Sequence, residues 1–423
     1  MKKVREGYKN TELGQTPSSW MIKTIGEIFD FSGGLSISRA MLTDKGINYL
    51  HYGDIHMRKE NYIDTKKDEE WLPKLEDNFQ EIKDNVKLNT GDIVFADASE
   101  DYEGIGKSVV IFNELKRPFV SGLHTIVAKD INKELDNNYK RYCFSTNEVR
   151  KQFRQLAVGT SVYGISRENI KKIKISIPTL EEQEQIGKIL STVDEQIDNI
   201  DALIEKNNEL KKGLMQQLLT KGIGHTKFKK TEIGEIPEEW EVKRLIEISD
   251  IIMGQSPDSS SYNEEGNGVP FFQGKTEFGS INPVVRKWCT SPTKIAKPLD
   301  ILISVRAPVG DVNINNIEAC IGRGLGAIRQ TNRSNYKYIY YVIQMFSNEL
   351  RKSSQGSTFE AINSSDLKGL KLPTPELEEQ QKIATILSEV DEKIEGYKNK
   401  KQKLEELKKG LMQQLLTGAI RAL

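Results

Sequence analysis

The sequence predicts an α+β chain with two mixed α/β domains, separated by two long antiparallel helices that form a coiled coil, in a pseudo-twofold repeat. The length supports this, because 423 residues exceed what one hydrophobic core comfortably holds. The string LKKGLMQQLLT also supports it, because it occurs at residues 210–220 and again at 407–417. The apolar residues before each copy recur at heptad spacing, which is typical of paired helices.

The repeat extends well beyond this string. Residues 177–198 match residues 374–395, and the offset of 197 stays constant to the end of the string. A second match relates residues 11–28 to residues 231–248 at an offset of 220. The chain therefore has the order domain, helix, domain, helix, and this order is cyclic. It predicts a pseudo-dyad and two chain ends that lie close together.

Two long helices are predicted, at residues 179–222 and 375–423. Pro178 ends the preceding strand, Thr179 is a candidate N-cap, and Glu182 lies where a capping box needs a glutamate. Roughly forty residues at about 1.5 Å each give a rod of about 60 Å. An antiparallel pair follows from the cyclic order, because each helix must leave one domain and end at the other.

The stripes expected to face each other follow the heptad spacing. Asn207 is a polar member, of the kind that fixes helix register at some cost in stability. Gly213 and Gly410 interrupt the helix interiors, which predicts a close backbone approach or a local bend. The residues predicted for the helix pair and its partners are Ile186, Val193, Ile200, Asn207, Leu210, Leu214, Leu218, Ile383, Val390, Tyr397, Leu404, Leu407, Leu411 and Leu415.

The two domains are predicted at residues 1–178 and 223–374. Short strands bounded by turn residues are predicted around the strings NTGDIVFAD, KSVVIF, HTIVAK and LKGLKLPTP. Each domain should also carry one amphipathic helix, at residues 138–157 in the first and 335–354 in the second. The tyrosine and phenylalanine stripes of these helices are interpreted as core rather than as base-stacking platforms.

Composition excludes several classes of protein. No stretch approaches eighteen apolar residues, so no transmembrane helix is predicted, and the charged start MKKVREGYKN lacks the apolar region of a signal peptide. Cys143, Cys289 and Cys320 are isolated, which indicates reduced thiols in a cytoplasm. The net charge of zero counts mildly against nucleic-acid binding, although a balanced total can hide a basic face or a basic partner.

Catalytic and cofactor motifs are not found. There is no phosphate-binding P-loop and no HExxH zinc motif. The string GRGLG at residues 322–326 is rejected as a nucleotide loop, because its repeat partner, SGLHT, keeps one glycine. His51 and His56 have no further ligand at a useful spacing for a metal. The acidic string DASEDYEG at residues 97–104 has no acidic counterpart in the second domain, so a shared nuclease site is not predicted.

The repeated helix string, the strings GEIPEEWEVKRL and SVRAPVGDVNI, and GRGLGAI together resemble the specificity subunits of type I restriction-modification systems. The resemblance covers nearly the whole chain. It implies that each domain is a target-recognition domain, which reads one half of a bipartite, asymmetric site in double-stranded DNA. It implies further that the helix pair sets the spacer between the half-sites and docks two modification subunits.

The same resemblance implies that this chain holds no cofactor and is not an enzyme on its own. S-adenosylmethionine belongs to the modification subunits, which methylate adenine, and ATP and Mg²⁺ belong to the partner subunits of the full complex, which includes restriction subunits. The location would be cytoplasmic, with no membrane partner. Two alternatives stay open: a structural adaptor that binds protein partners, and a stand-alone DNA-modifying enzyme.

DNA-contacting residues are inferred from the loops that resemble the family's DNA face. Base readout needs Arg, Lys, Asn, Gln or Ser side chains on such loops, and phosphate contacts need cations. The first domain lacks the arginine of the VRAPVG string, and its loop at residues 97–107 is acidic. The residues predicted to contact DNA are Arg39, His51, Tyr52, Lys107, Ser161, Tyr163 and Arg167 in the first domain, and Gln255, Gln273, Lys275, Arg306, Ser357 and Thr358 in the second.

Overall fold

The structure is a computed structural model that describes residues 4–76, 82–354 and 361–422. The chain divides into two units. Met1–Asn199 and Lys400–Leu423 form the first unit, and Ile200–Asn399 form the second. Each unit therefore combines one mixed α/β domain with part of each long helix. The prediction of two mixed domains and two long helices agrees with this architecture.

The domain of the first unit is built from short strands and short helices. Two 3-10 helices, Arg39–Met41 and Asp84–Val86, lie in its loops. Its strands are β1 (Tyr8–Thr11), β2 (Gly14–Pro17), β3 (Met21–Thr24), β4 (Asp30–Gly33), β5 (Ile47–Leu50), β6 (Tyr62–Asp64), β7 (Lys74–Leu75), β8 (Ile93–Ala96), β9 (Ala98–Ser99), β10 (Ser108–Phe112), β11 (Phe119–Ser121), β12 (Thr125–Lys129), β13 (Tyr163–Gly164) and β14 (Lys174–Ile177). Its helices are α1 (Ile25–Ile28), α2 (Tyr52–Met57), α3 (Asn137–Lys140), α4 (Asn147–Leu156) and α5 (Arg167–Lys171), and they precede the long helix α6 (Leu180–Lys221).

The domain of the second unit follows the same plan. Its 3-10 helices are Ser259–Ser261 and Lys275–Glu277. Its strands are β15 (Phe228–Thr231), β16 (Gly234–Pro237), β17 (Glu241–Arg244), β18 (Ser249–Met253), β19 (Tyr262–Asn263), β20 (Val269–Phe272), β21 (Trp288–Cys289), β22 (Ile295–Ala296), β23 (Ile301–Ser304), β24 (Val312–Ile314), β25 (Ala319–Ile321), β26 (Leu325–Gln330) and β27 (Lys371–Thr374). Its helices are α7 (Leu245–Ile248), α8 (Tyr336–Ser354) and α9 (Ser364–Gly369), followed by the long helix α10 (Leu377–Leu415).

The same strand pairings recur in both units. The central sheet of the first unit has the order β4-β12-β8-β10-β6, and that of the second has the order β18-β26-β23-β24. Beside it, β11 pairs parallel with β5, as β25 does with β20. The strand that leads into each long helix, β14 or β27, pairs antiparallel with β3 or β17. The sequence repeat is thus a repeat of topology as well.

One predicted helix is broken in the structure. Residues 138–157 were predicted as a single helix, but they form α3 and α4 with a break between Lys140 and Asn147. The hydroxyl of Thr146 accepts a hydrogen bond from the backbone N–H of Val149 and starts α4 as its N-cap. The corresponding prediction at residues 335–354 is confirmed, because α8 runs unbroken over this stretch.

The long helices lie close to their predicted bounds. The second long helix, α10, ends at Leu415 rather than at Leu423. The helix stops there because Gly418 takes a left-handed backbone conformation with φ of 72° and its N–H donates to the carbonyl of Leu415. At the start of the first long helix, α6, the Thr179 hydroxyl accepts a hydrogen bond from the backbone N–H of Glu182 at 3.4 Å. The Glu182 side chain does not complete the predicted capping box, because it binds elsewhere.

A glutamate, buried in the first unit and half-buried in the second, fixes the start of each long helix. In the first unit, Glu182 accepts a hydrogen bond from the indole N–H of Trp20 at 2.7 Å and pairs with the guanidinium of Arg421 at 2.6 Å. In the second unit, Glu379 accepts from the indole N–H of Trp240 at 2.9 Å and contacts the Nε2 of His225 at 2.9 Å, and it also accepts from the backbone N–H of Ile223. Three chain segments therefore meet at one carboxylate in each unit.

The next residue of each helix binds the domain through a side-chain amide. The Oε1 of Gln183 accepts from the backbone N–H of Asp136, and its Nε2 donates to the carbonyls of Glu134 and Pro178. Gln380 makes the same three contacts in the second unit, with Asn335, Arg333 and Pro375. Both glutamines are buried, so each helix start is tied to the chain before its domain helix.

Within each unit, the beginning of one long helix lies against the end of the other. Asp194 of α6 forms an ion pair with Lys408 of α10 at 2.5 Å, and Asp391 of α10 pairs with Lys211 of α6 at 2.7 Å. Each aspartate also accepts a hydrogen bond from a tyrosine hydroxyl of its own domain, Tyr142 at 2.6 Å or Tyr341 at 2.7 Å. Burial is the main cause that raises the pKa of both tyrosines, so they remain neutral donors.

Most of the predicted heptad residues are buried or half-buried. Ile186, Val193, Ile200, Leu218, Ile383, Val390 and Leu415 are buried, and Asn207, Leu214, Tyr397, Leu404 and Leu411 are half-buried. Leu210 and Leu407 are wrong as members of the buried stripe, because each is 50% exposed. The close backbone approach predicted at the helix glycines is not found, because a Cβ at Gly213 or Gly410 would meet no atom of the described residues within 4 Å outside the helix's own backbone. The alternative, a local bend, stays a prediction.

The chain ends meet in the first unit, as the cyclic order predicted. The hydroxyl of Tyr8 donates to the carbonyl of Gly418 at 2.7 Å, and the guanidinium of Arg5 donates to the carbonyl of Ala419 at 3.0 Å. The guanidinium of Arg421 adds a hydrogen bond to the hydroxyl of Ser19. Within the described ranges, no helix has the length and apolarity needed to cross a membrane.

Replacing Glu182 with glutamine should destabilise the first unit by about 1–3 kcal/mol, because a buried charged hydrogen bond to Arg421 is lost. Burial alone would raise the pKa of Glu182, but the hydrogen bonds from Arg421 and Trp20 outweigh it and lower the pKa. The carboxylate therefore stabilises the fold above the ordinary glutamate range, about pH 4.3, and this stabilisation is lost as the pH falls through the lower folded pKa. Urea unfolding between about pH 5 and pH 2 measures both effects.

The matched control is Glu181→Gln, an exposed glutamate in the same first turn of α6. It should leave the acid dependence of the unfolding free energy close to that of the wild type. The Glu182→Gln variant should show a shallower loss of stability on acidification. Identical acid dependence in the wild type and in Glu182→Gln would contradict this role of Glu182.

Candidate nucleic-acid interface

Each unit has a tight turn that connects the parallel strand pair to the central sheet. In the first unit this is residues 122–124, between β11 and β12, and it is called the first turn here. In the second unit it is residues 322–324, between β25 and β26, and it is called the second turn. The two turns occupy equivalent places, because equivalent strands precede and follow them.

Backbone hydrogen bonds hold the first turn against three loops. The N–H of Gly122 donates to the carbonyl of Leu50 at 2.9 Å, just before α2. The N–H of Gly34 donates to the carbonyl of Thr125 at 3.2 Å, and the N–H of Asp97 to that of His124 at 3.1 Å. The loops after β4, β5 and β8 therefore all reach this turn.

The second turn is held by the same pattern. The N–H of Gly322 donates to the carbonyl of Phe272 at 2.8 Å, and the N–H of Gly254 to that of Leu325 at 2.9 Å. The N–H of Val305 donates to the carbonyl of Gly324 at 2.9 Å. A Cβ at Gly324 would lie 2.5 Å from the carbonyl oxygen of Gln273, so this position requires glycine.

Three of the predicted DNA-contacting residues of the second unit gather around its turn. Gln255 follows Gly254, Gln273 lies against Gly324, and Arg306 follows Val305, and all three side chains are exposed. Lys275 is exposed too, but its ammonium pairs with the carboxylate of Asp311. Ser357 and Thr358 lie outside the described residues.

The first unit places a different set of side chains beside its turn. Tyr52 stands edge-on to the ring of His124 with centroids 5.3 Å apart. Arg167, exposed at the start of α5, lines the same cavity of about 530 Å³ as His124 and Asp97. Arg39 lies beside the start of α2, where it forms an ion pair with Asp54 at 3.0 Å and remains 55% exposed. Tyr52 and Arg167 therefore lie beside the turn, and Arg39 lies beside the helix that carries Tyr52.

Two predicted contacts of the first unit are corrected. His51 is 8% exposed, and its Nδ1 accepts from the N–H of Gly53 as the N-cap of α2. Burial is the main cause that lowers its pKa, so the ring is neutral and supports Tyr52 by a ring contact at 4.6 Å. Lys107 donates to the carbonyls of His56 and Arg58 at 3.0 and 2.6 Å. Its ammonium therefore binds the C-terminal end of α2 and does not face outward.

The remaining two predictions lie on the loop before α5. Ser161 is exposed in a bend. Tyr163 is half-buried in β13, which pairs with β9, and its ring meets that of Tyr102 edge-on at 5.1 Å. Neither residue has a contact with the first turn among the described residues. No described group of histidine, cysteine and acidic residues could hold a metal ion.

The residues that sequence reasoning missed are those of the turns themselves. His124 is 51% exposed, and Arg323 is exposed as well. The repeat match of GRGLG with SGLHT is the signal that could have found them, because each string holds one basic residue within its turn.

The two turns are supported by different chemistry. The N–H of Leu123 donates to the hydroxyl of Tyr49 at 2.8 Å, and this hydroxyl lies 2.8 Å from the carbonyl of Leu35. Phe271 stands at the position of Tyr49 in the second unit and has no hydroxyl. There the N–H of Arg323 donates to the hydroxyl of Ser256 at 3.2 Å instead. Equivalent backbone N–H groups in the two turns thus find acceptors on unrelated side chains.

Replacing Tyr49 with phenylalanine should cost about 1–3 kcal/mol, because the N–H of Leu123 loses its acceptor in a half-buried place. Hydrogen exchange of the Leu123 amide should accelerate more than exchange in β12. Tyr139→Phe is the matched control, since it also removes a buried hydroxyl, which donates to the carbonyl of Ser176. Tyr139→Phe should lower the free energy of unfolding but should not accelerate exchange of the Leu123 amide more than exchange in β12. An unchanged Leu123 exchange rate in Tyr49→Phe would contradict this account of the turn.

Comparison with known proteins extends over nearly the whole chain. The family model of the type I restriction modification DNA specificity domain matches residues 17–212 and 237–406. The putative type I restriction enzyme MjaX specificity subunit of Methanocaldococcus jannaschii is 40% identical over 424 residues, which cover 98% of this chain and 97% of that relative.

Solved structures agree with this relationship. A chain from a structure that addresses complex assembly and conformational transition of the type I R-M system has a TM-score of 0.56 and 26% identity, with 96% of this chain and 99% of that chain covered. The type I S subunit from M. genitalium has the same fold, with a TM-score of 0.61 at 17% identity over 98% of each chain. Because the family model matches well over half of the chain and the archaeal relative matches nearly all of it, this chain belongs to the DNA-specificity subunits of type I restriction-modification enzymes.

Proposed function

We propose that this subunit reads a bipartite, asymmetric site in double-stranded DNA, with one half-site read by each unit. The observation that carries this proposal is the pair of equivalent turns, which share strand topology and backbone hydrogen bonds but differ in their exposed side chains. Equivalent scaffolds suit two readers of the same duplex geometry. Different side chains around each turn suit two different base sequences, because base edges are read by side-chain donors and acceptors.

The exposed residues around the turns supply the readout chemistry. In the second unit, Gln255 and Gln273 offer amide donors and acceptors, and Arg306 offers a guanidinium. Glutamine matches the major-groove edge of adenine, and arginine matches that of guanine. In the first unit, Arg39 and Arg167 are cations for a phosphate or a guanine, and Tyr52 gives an aromatic face.

The long helices are proposed to form an antiparallel coiled coil that relates the units by a pseudo-dyad and sets the spacer between the half-sites. The repeated ion pairs and tyrosine hydrogen bonds of Asp194 and Asp391 support this, because each unit uses the same contacts to hold its helix segments. A half-site separation set by protein geometry is known for two-fold DNA-binding proteins.

The repeated string on the helices is proposed to dock two modification subunits. Its two copies have the same burial at every position, and their outer faces present identical side chains. Leu210 and Leu407 are each half exposed, and Gly213 and Gly410 face open space three residues later. An exposed leucine near a glycine with no neighbouring atoms leaves room for a partner to make a close apolar contact. Such an exposed apolar site in the middle of a helix indicates a binding partner.

The chain itself is a specificity subunit and not a catalytic one. We propose that S-adenosylmethionine is held by the modification subunits, and that ATP and Mg²⁺ are used by partner subunits when restriction subunits join the complex. A cytoplasmic location follows from this role, because the DNA substrate lies there. A net charge of zero suits a reader whose partners contribute much of the phosphate contact.

Methylome sequencing of a host with and without this gene, in the presence of the modification subunit, tests the reading function. The expected result is one methylated motif with two unlike halves and a fixed spacer. A symmetric motif would contradict the assignment of one half-site to each unit. Methylation that does not depend on the gene would overturn the reading function itself.

Inserting the same seven helical residues after Asn199 and after Asn399 tests the spacer. Seven residues keep the heptad register and add about 10 Å to each helix, so the spacer should grow by about three base pairs at about 3.4 Å each. Both half-sites should stay unchanged in the methylome. Insertion into one helix alone is the control and should abolish methylation, and a spacer that stays unchanged after the double insertion would contradict the proposal.

Replacing Leu210 or Leu407 with aspartate tests the docking surface. Each single variant should lose one of two modification subunits, and the double variant should lose both, because a charge would be buried at the contact. Native mass spectrometry of the assembled complex gives the stoichiometry. Leu203→Asp is the matched control, since Leu203 is 39% exposed on α6 outside the string. Two bound subunits in the double variant would contradict the proposal.

A further inference from the structure

Each turn presents one exposed basic side chain at its tip. His124 is the last residue of the first turn and is 51% exposed. Arg323 is the middle residue of the second turn and is also exposed.

The fold does not explain Arg323. Its backbone N–H donates to the hydroxyl of Ser256 at 3.2 Å, which any residue except proline could do. Within the part of the chain that the structure describes, its guanidinium makes no hydrogen bond or ion pair. An arginine with five donors on an exposed tip is therefore available to an acceptor from outside the chain.

His124 is placed with more constraint. Its backbone has a φ of 54°, a left-handed conformation that is uncommon for a residue other than glycine. Its Nδ1 lies 3.1 Å from a carboxylate oxygen of Asp97, and its ring stands edge-on to that of Tyr52. Asp97 and Tyr52 thus fix the ring, and the pairing leaves Nε2 as the nitrogen that can meet a ligand.

The surroundings of both residues point to DNA as that ligand. Arg323 lies next to Gly324, which packs against Gln273. The backbone N–H groups of Gly254 and Gln255 donate to the carbonyls of Leu325 and Ile321, on either side of the same turn. His124 shares its cavity with Arg167. Each basic tip is therefore the centre of the polar side chains proposed above to read a half-site, and not an isolated surface charge.

We propose that His124 and Arg323 are direct DNA contacts, one in each half-site, and that the contact of His124 is made by the protonated imidazole. This rests on the proposed reading function. Arg323 donates to an acceptor of the duplex, either the O6 and N7 edge of a guanine or a phosphate oxygen. His124 donates from Nδ1 to Asp97 and from Nε2 to the same class of acceptor, and only the imidazolium has both donors.

The two half-sites then respond differently to pH. An arginine stays protonated throughout, whereas a histidine changes charge between about pH 5 and pH 8. Since the bound state needs the imidazolium, affinity for the first half-site rises as the pH falls through this range. Several titratable and charged groups face His124 or lie around it. They are Asp97 after β8, Arg39 and the N-cap His51 before α2, Tyr52, Asp54 and His56 on α2, and Arg167 and Glu168 on α5.

The test uses the complex of this subunit with the modification subunits and a labelled duplex that carries the methylated motif. Dissociation constants are measured at about pH 6 and about pH 8, on either side of the ordinary histidine range. Arg323→Ala should weaken binding about five- to hundredfold at both pH values. His124→Ala should weaken binding by a similar factor at the lower pH, have little effect at the higher pH, and remove the pH dependence of the first half-site.

Two matched controls separate the contacts from general charge effects. Lys133 is an exposed basic residue with the same φ of 54°, in a turn before α3, and Arg333 is an exposed arginine in the turn before α8. Alanine at either position should leave binding within about twofold of the wild type. Melting temperatures of all variants should match, because no core contact is removed.

Duplexes with one half-site changed identify the acceptor. A guanine contact relaxes specificity at one base pair, whereas a phosphate contact weakens all sequences equally and lowers the salt slope by about one. Unchanged binding in both variants, with a wild type that still discriminates its motif, would overturn the inference alone. An equal loss in His124→Ala at both pH values would overturn the protonated contact. A wild-type complex without sequence preference would instead count against the proposed reading function.

Discussion

The carboxylate at the start of each long helix is the interaction on which the rest of the structure depends. Glu182 joins the hairpin residue Trp20, the first turn of α6 and Arg421, which follows α10. A buried carboxylate is costly unless it is paired and hydrogen-bonded, and a buried indole N–H needs an acceptor. These needs are met together only when the domain, the start of one helix and the end of the other are in register. The helix pairing and the domain fold are therefore fixed by one contact.

The second unit meets the same need with a different side chain. His225 takes the place of Arg421 beside Glu379, while Trp240 repeats Trp20. Arg421 bridges both carboxylate oxygens of Glu182 and also reaches Ser19. In the second unit, the backbone N–H of Ile223 adds a hydrogen bond to the carboxylate that His225 contacts.

Periodicity predicted the architecture because each repeat in the sequence is a repeat of contacts. The heptad spacing predicts which helix residues are buried, but it does not show where the buried stripe ends. It therefore wrongly includes Leu210 and Leu407. In the second unit, the loops chosen from the sequence meet at one turn, where Gln255, Gln273 and Arg306 lie; that these residues contact DNA stays a prediction. Sequence reasoning failed for His51 and Lys107, because both look like readout residues, and only the fold shows that helix α2 uses their polar atoms. Spacing along the chain carries no information on which direction a side chain faces in an irregular loop.

The division between what repeats and what differs has a physical reason. A buried residue must satisfy its neighbours, so Gln183 and Gln380, or Asp194 and Asp391, keep the same contacts after the sequences around them diverge. An exposed residue has no such constraint, and the first and second turns differ wherever their side chains face outward. The string LKKGLMQQLLT breaks this rule, because its exposed residues are identical in both units although its neighbours on the same helices are not. Folding alone gives no reason for that identity, whereas the docking of two copies of one partner, proposed above, would require it.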